Sequence, residues 1–236
     1  MMRTAYVLLT ASILALLPLS CGSVLPVSPA PIYYRLVYEP APVPCDRSFA
    51  GGGVRVWRFT EASPFDRAEM TVLGPGEEVT FAGTNRWVST PGRLVADSLI
   101  RDLTMGTTFP QVVSGENPAA VPYEITGRVF EFGWVERKGL GKAVLEVEVS
   151  LVRRSGTPEV IARRRYEVES APFAQDSASA FAAAMSEAVG RFSREVRVDF
   201  CNAAAEFAQP SSTSASAGDR GGSVPPAETG KGAGSP

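Results

Sequence analysis

The chain has 236 residues, with 23 Lys plus Arg against 25 Asp plus Glu, a formal charge of −2, and no histidine. That balance lacks the strongly basic surface of a nucleic-acid binder. Serine–histidine catalytic triads and the common histidine-containing zinc sites are excluded outright.

In chain order, the first predicted element is an export signal. Arg3 precedes a run from Ala5 to Leu17 that is almost wholly apolar, thirteen residues in all. A bilayer span takes about 20, so residues 1–20 read as a signal peptide that is removed. Leu17-Pro18-Leu19-Ser20-Cys21-Gly22 resembles a bacterial lipobox, with Pro18 and Leu19 standing where an aliphatic and a small residue are usual. The resemblance implies lipidation of Cys21. Gly22 in place of aspartate implies, by similarity to enterobacterial sorting, the outer membrane. An ordinary cleaved signal with an incidental cysteine is the competing reading. Residues 21–31 then form a lipidated tether. Its three prolines and lack of charge suit an extended spacer that holds the folded part off the lipid.

The folded part is expected over residues 32–207. Val54–Phe59 reads as a strand, and Ala68–Phe81 as two shorter ones around Gly74-Pro75-Gly76. Thr90-Pro91 is a helix start, threonine as N-cap and proline at the first helical position, followed by Leu94, Val95, Leu99 and Leu103 at helical spacing. Tyr123–Val135 is rich in β-branched and aromatic residues. A turn near Lys138–Gly141 joins it to the clearest strand in the chain, where Ala143, Leu145, Val147, Val149 and Leu151 alternate with Glu146, Glu148 and Ser150. Turn chemistry at 153–158 leads to a strand over Glu159–Glu169. Phe181, Met185, Ala188, Val189, Phe192 and Val196 make one apolar helix stripe, capped by Ser177 or Asp176. The expected fold is α+β, a mainly antiparallel sheet with two helices packed on one face. Residues 208–236 are rich in Pro, Ser, Gly and Ala and read as a disordered tail.

Several side chains are candidates for function. Cys45 and Cys201 can pair in an oxidising compartment, clamping the tether to the far end of the domain; two free thiols are the alternative. Arg153, Arg154, Arg163, Arg164 and Arg165 gather around one hairpin. They suit phospholipid head groups or an acidic partner, or a solvated face neutralised by Glu167 and Glu169. Phe130, Phe132 and Trp134 alternate on one strand, as a groove for an acyl chain or as packing beneath a helix. Arg86-Trp87 is either a docking surface or a core tryptophan with an arginine at its edge. Glu146 and Glu148 have no catalytic motif around them, and Gly139-Leu140-Gly141-Lys142 lacks the spacing of a phosphate loop and suits a hairpin turn. No cofactor or metal is implied.

Taken together, Ile32-Tyr33-Tyr34-Arg35-Leu36, Val54-Arg55-Val56, Asn85 to Pro91, Tyr123 to Val129 and the alanine-rich helix over Ala178–Val196 resemble the ABC-type transport auxiliary lipoproteins. These are the PqiC-like components that accompany MCE-type lipid transport. The resemblance spans about 32–200. It implies a non-catalytic periplasmic lipoprotein that works with an MCE protein and an inner-membrane permease and ATPase. Phospholipid contact and homo-oligomerisation stay open. The alternative is a structural or assembly lipoprotein that binds envelope proteins without a transporter.

Overall fold

The computed structural model describes residues 29–49, 52–76, 78–137, 139–174 and 177–207. The expected signal peptide, Cys21, most of the tether, Asp176 and the tail from 208 onward lie outside the described residues. In chain order the elements are β1 (Ile32–Tyr34), β2 (Val54–Val56), β3 (Thr60–Glu61), β4 (Glu69–Leu73), β5 (Val79–Trp87), α1 (Pro91–Thr104), β6 (Val112–Ser114), β7 (Tyr123–Arg137), β8 (Leu140–Arg153), β9 (Glu159–Glu169), β10 (Phe173–Ala174) and α2 (Ala178–Phe207).

The alternation in β8 does what its period predicts. Ala143, Leu145, Val147, Val149 and Leu151 are buried, while Glu146, Glu148 and Ser150 point to the other face. β8 pairs antiparallel with β7 along its length and with β9 from Val144↔Glu169 to Arg153↔Glu159. Gly139 and Gly156 occupy the two turns at φ +78° and +79°, a backbone region open to glycine at little cost.

The sheet as a whole is mixed, which corrects the expectation of a mainly antiparallel one. Three short strands take the second edge of β7 in succession, all parallel to it: β2 at Val54↔Tyr123, β3 at Thr60↔Arg128 and β4 at Thr71↔Gly133. β1 lies parallel to β5, and β6 parallel to β2. The cause lies in the connections. β5 runs back antiparallel to β4, and the long passage through α1 and β6 then brings β7 in parallel to β4. Alternation in a sequence reports which side chains are buried, and carries no information about a neighbour's direction. Moreover β1, β3, β6 and β10 are two or three residues long, too short to show a period.

α1 begins where threonine and proline place it, though its cap comes from elsewhere. Thr90 has the extended backbone of a cap residue and makes no side-chain cap bond. Its hydroxyl donates instead to Glu61 Oε1 (2.6 Å), and the same oxygen accepts from Gly92 N–H (3.1 Å). A carboxylate from β3 thus sits on the positive end of the helix. At the start of α2, Ser177 Oγ accepts from Ala180 N–H at 3.1 Å. The predicted stripe is fully buried and extends through Phe200 and Ala204. Phe181 meets Trp134 at 4.6 Å and Trp87 at 5.4 Å between ring centres, Phe192 meets Tyr166 at 5.5 Å, and Phe200 meets Phe109 at 6.2 Å. Each such aromatic contributes about 1.5–3 kcal/mol by leaving water.

Candidate functional site

Between β1 and β2 the chain runs as an irregular strap across both helices. Its contacts climb α2 in order. Val37 N–H donates to Ser186 Oγ (3.0 Å), the Tyr38 ring lies against Gly190, Arg197 Nη2 donates to Ala41 O (2.6 Å), and Cys45 is bonded to Cys201 across Cα atoms 5.8 Å apart. From Val37 to Cys45 an extended chain covers about 26 Å. From Ser186 to Cys201 a helix rises about 23 Å. The two therefore keep step, with two hydrogen bonds, a ring contact and the disulfide spaced along the helix. Beyond the bridge, Thr107 Oγ1 donates to Cys45 O (2.7 Å) and Phe49 N–H to Thr108 O (3.0 Å), tying the strap to the loop after α1.

Beneath the strap lies a charged network. The Asp102 carboxylate on α1 is fully buried; it accepts from Tyr38 Oη at 2.7 Å and from Arg101 Nε at 2.8 Å. The Arg101 guanidinium also stacks on the Tyr38 ring, 4.3 Å from its centre. Burial, and then the bond to Asp102, push the Tyr38 phenol well above its ordinary value, so it remains a donor. Arg197 on α2 is almost fully buried, and desolvation lowers its pKa; its Nε has no hydrogen-bond partner among the described residues. None of Tyr38, Asp102, Ser186 or Arg197 stands out in the sequence. The available signal is a polar residue beside an apolar helix stripe, Asp102 next to Leu103 and Arg197 next to Val196.

The five arginines do not form one patch. On β9, Arg163 and Arg165 share the face of Glu146 and Glu148, and pair with Glu148 (3.1 Å) and Glu146 respectively. Arg164 points to the helix side, where it pairs with Asp199 on α2 (2.8 Å) beside the Tyr166 hydroxyl. Arg153 and Arg154, at the hairpin end of β8, pair with Glu159 (2.5 Å) and Glu124 (2.8 Å). The direct ion pairs are thus with acids other than Glu167 and Glu169, while Glu167 acts on Arg165 through its charge alone.

The aromatic trio on β7 is also divided. A register shift between Val129 and Glu131 inserts an extra residue, and such a bulge reverses the side-chain alternation. Phe132 and Trp134 face α2, whereas Phe130 lies on the charged face under Arg128 (5.2 Å) and Arg165 (4.1 Å). The expectation of three aromatics on one face is therefore corrected. Next to Phe130, Glu131, Glu146 and Glu167 stand in one row across three strands. Burial, and then these two neighbours, raise the Glu131 carboxyl above its ordinary value. Trp87 is wholly buried, edge-on to Phe132 (5.3 Å) and Phe181, while Arg86 pairs with Glu69 at 2.7 Å. The pair is thus a core anchor with a surface ion pair. No group of three or more His, Cys, Asp or Glu among the described residues is placed to hold a metal, and no described helix is long and apolar enough to cross a membrane.

The fold and these contacts describe an α+β scaffold whose N-terminal segment is locked along its C-terminal helix. A family model for the ABC-type transport auxiliary lipoprotein component matches residues 54–197, from β2 through most of α2. The match covers more than half of the chain, which belongs to that family. Among solved structures, the chain is similar to protein XCC0632 of Xanthomonas campestris, from family DUF330. There the identity is 18% and the TM-score 0.66, over 76% of this chain and 100% of that one. A second solved structure, of an uncharacterized protein, matches at 15% identity and a TM-score of 0.51, over 76% of this chain and 100% of the other. These likenesses concern the fold. No curated protein matches.

Proposed function

We propose that this protein is a non-catalytic lipoprotein component of an MCE-type intermembrane lipid transport system, anchored through Cys21 and facing the periplasm from the outer membrane. The family match over residues 54–197 carries this reading, since it ties the chain to ABC-type transport. Residues 1–20 serve as the signal, 21–31 as the tether and 32–207 as the auxiliary domain. Both helices cover one face of the sheet; in support, α1 and α2 meet under the strap, and the buried set of β8 faces the aromatics of α2. The ATPase and permease reside in other subunits, and this chain docks or steadies the lipid-conducting part.

The test is co-purification from native membranes with a tag after residue 207, followed by mass spectrometry of proteins and lipids. Recovery of an MCE protein with its permease and ATPase is expected. Recovery of other envelope proteins, with no transporter subunit under mild crosslinking, would overturn the reading in favour of an assembly lipoprotein.

A further inference from the structure

β1 runs parallel to β5, β5 antiparallel to β4, and β4 parallel to β7. Residues 29–31 therefore approach β1 from the end of the sheet that carries the β4–β5 and β7–β8 turns. That end exposes large apolar side chains: Val79 at 40%, Phe81 at 38% and Leu140 at 49%. Between them and β9, Val135, Leu140, Val144 and Pro172 line a shallow pocket of about 140 Å³, together with the Lys142–Glu169 ion pair. Val135 and Val144 alternate with the buried Trp134 and Ala143, so the pocket opens on the face away from α2.

The tether's length decides how far this end can stand from the membrane. Cys21 and Ile32 are eleven residues apart, which as a proline-rich extended chain spans about 34 Å. Ile32 sits beside Asn85, six positions of β5, or about 20 Å, from Val79. Only about 14 Å of slack is left. A linker this short keeps its ends at an effective concentration in the millimolar range, enough to favour weak apolar contacts.

We propose that this two-turn end of the sheet rests on the lipid bilayer, with Leu140, Val79 and Phe81 at the boundary of head groups and acyl chains. The inference rests on the reading of Cys21 as acylated and adds which surface meets the membrane. The tether acts as a short leash and does not hold the domain clear of the lipid. Partly exposed apolar side chains on an anchored domain behave as an interfacial contact, reinforcing the acyl chains.

The test uses full-length protein expressed with its own signal, with acylation of Cys21 read by mass spectrometry. The protein is placed in vesicles of phosphatidylethanolamine and phosphatidylglycerol. Nitroxide labels are introduced at Leu140→Cys and, separately, at Met105→Cys, with the Cys45–Cys201 bridge kept oxidised. Met105 follows α1 near Thr108 and Phe49, which packs on Tyr123 at the opposite end of β7. Collisions with oxygen and with a water-soluble nickel chelate are compared. The expected result is an oxygen-to-nickel ratio several-fold higher at 140 than at 105. Equal ratios in acylated protein would overturn the contact and leave the anchor standing. A chain without the acyl mass overturns both. Shielding of the 140 label in lipid-free Cys21→Ser protein would assign that surface to a second copy of the chain and likewise overturn the proposal.

Discussion

Asp102 is a carboxylate with no exposed surface, held by two donors, one from the strap and one from its own helix. Tyr38→Phe keeps the ring and removes only the strap's hydroxyl. A buried acceptor deprived of a partner costs about 1–3 kcal/mol, and urea denaturation should show a loss in that range. An unchanged midpoint would mean that water replaces the hydroxyl. Glu131 behaves in the opposite sense. Its raised pKa means that the folded chain holds this proton more tightly than the unfolded chain does. The stability it contributes is present below the unfolded carboxylate value, and is lost as pH rises through the folded value. Glu131→Gln should therefore be more stable than the native chain at neutral pH, and the two urea midpoints should converge near about pH 4. Parallel curves at all pH values would show that Glu131 carries no net strain from its neighbours.

At the scale of elements, the strap is the feature with the most consequences. It joins α1 to α2 through side-chain and backbone groups together, and the Cys45–Cys201 bridge closes a loop across 156 positions. Loop-closure entropy sets the upper limit of its contribution at about 5 kcal/mol. The Cys45→Ser, Cys201→Ser double variant should lose up to that amount, and amide exchange should rise first at residues 36–45. If exchange rises equally over β8 and β9, the strap is not a separate unit. Mass spectrometry of protein from native membranes, with and without reductant, reads the same bridge directly. The β7 bulge is the second element of note. One inserted residue moves Phe130 to the charged face, where it supports two guanidinium groups and has no share in the helix-side core.

At the scale of the whole molecule, strand direction brings residues 29–31, and with them the proposed anchor, to one end of the sheet. Three features share that end: the two turns, the apolar pocket and the entry of residues 29–31. The strap then leads the chain from β1 toward the opposite end, where Cys45, Thr107 and Phe49 close it. In the proposed role, a transport partner meets surfaces further from the lipid. The co-purification and the two nitroxide positions test separate halves of this picture, the partner and the orientation.

Much of the architecture is legible in the sequence. The β8 alternation, the β9 boundaries, the Pro91 helix start and the α2 stripe follow from local periodicity and capping, which depend on residues within a few positions of each other. The family resemblance likewise rests on the order of local segments. What only the tertiary structure decided depends on residues far apart in sequence. The parallel pairing of β2, β3 and β4 along β7 needs the crossover through α1. The bulge at Phe130 is set by its partner strand, and the Tyr38–Asp102 contact joins residues 64 positions apart. The arginines show the same limit at a single site. Their clustering is visible in the sequence, but alternation across a sheet sends Arg164 to one face and Arg163 and Arg165 to the other. Local chemistry thus determined the elements, and long-range pairing decided which surfaces those elements present.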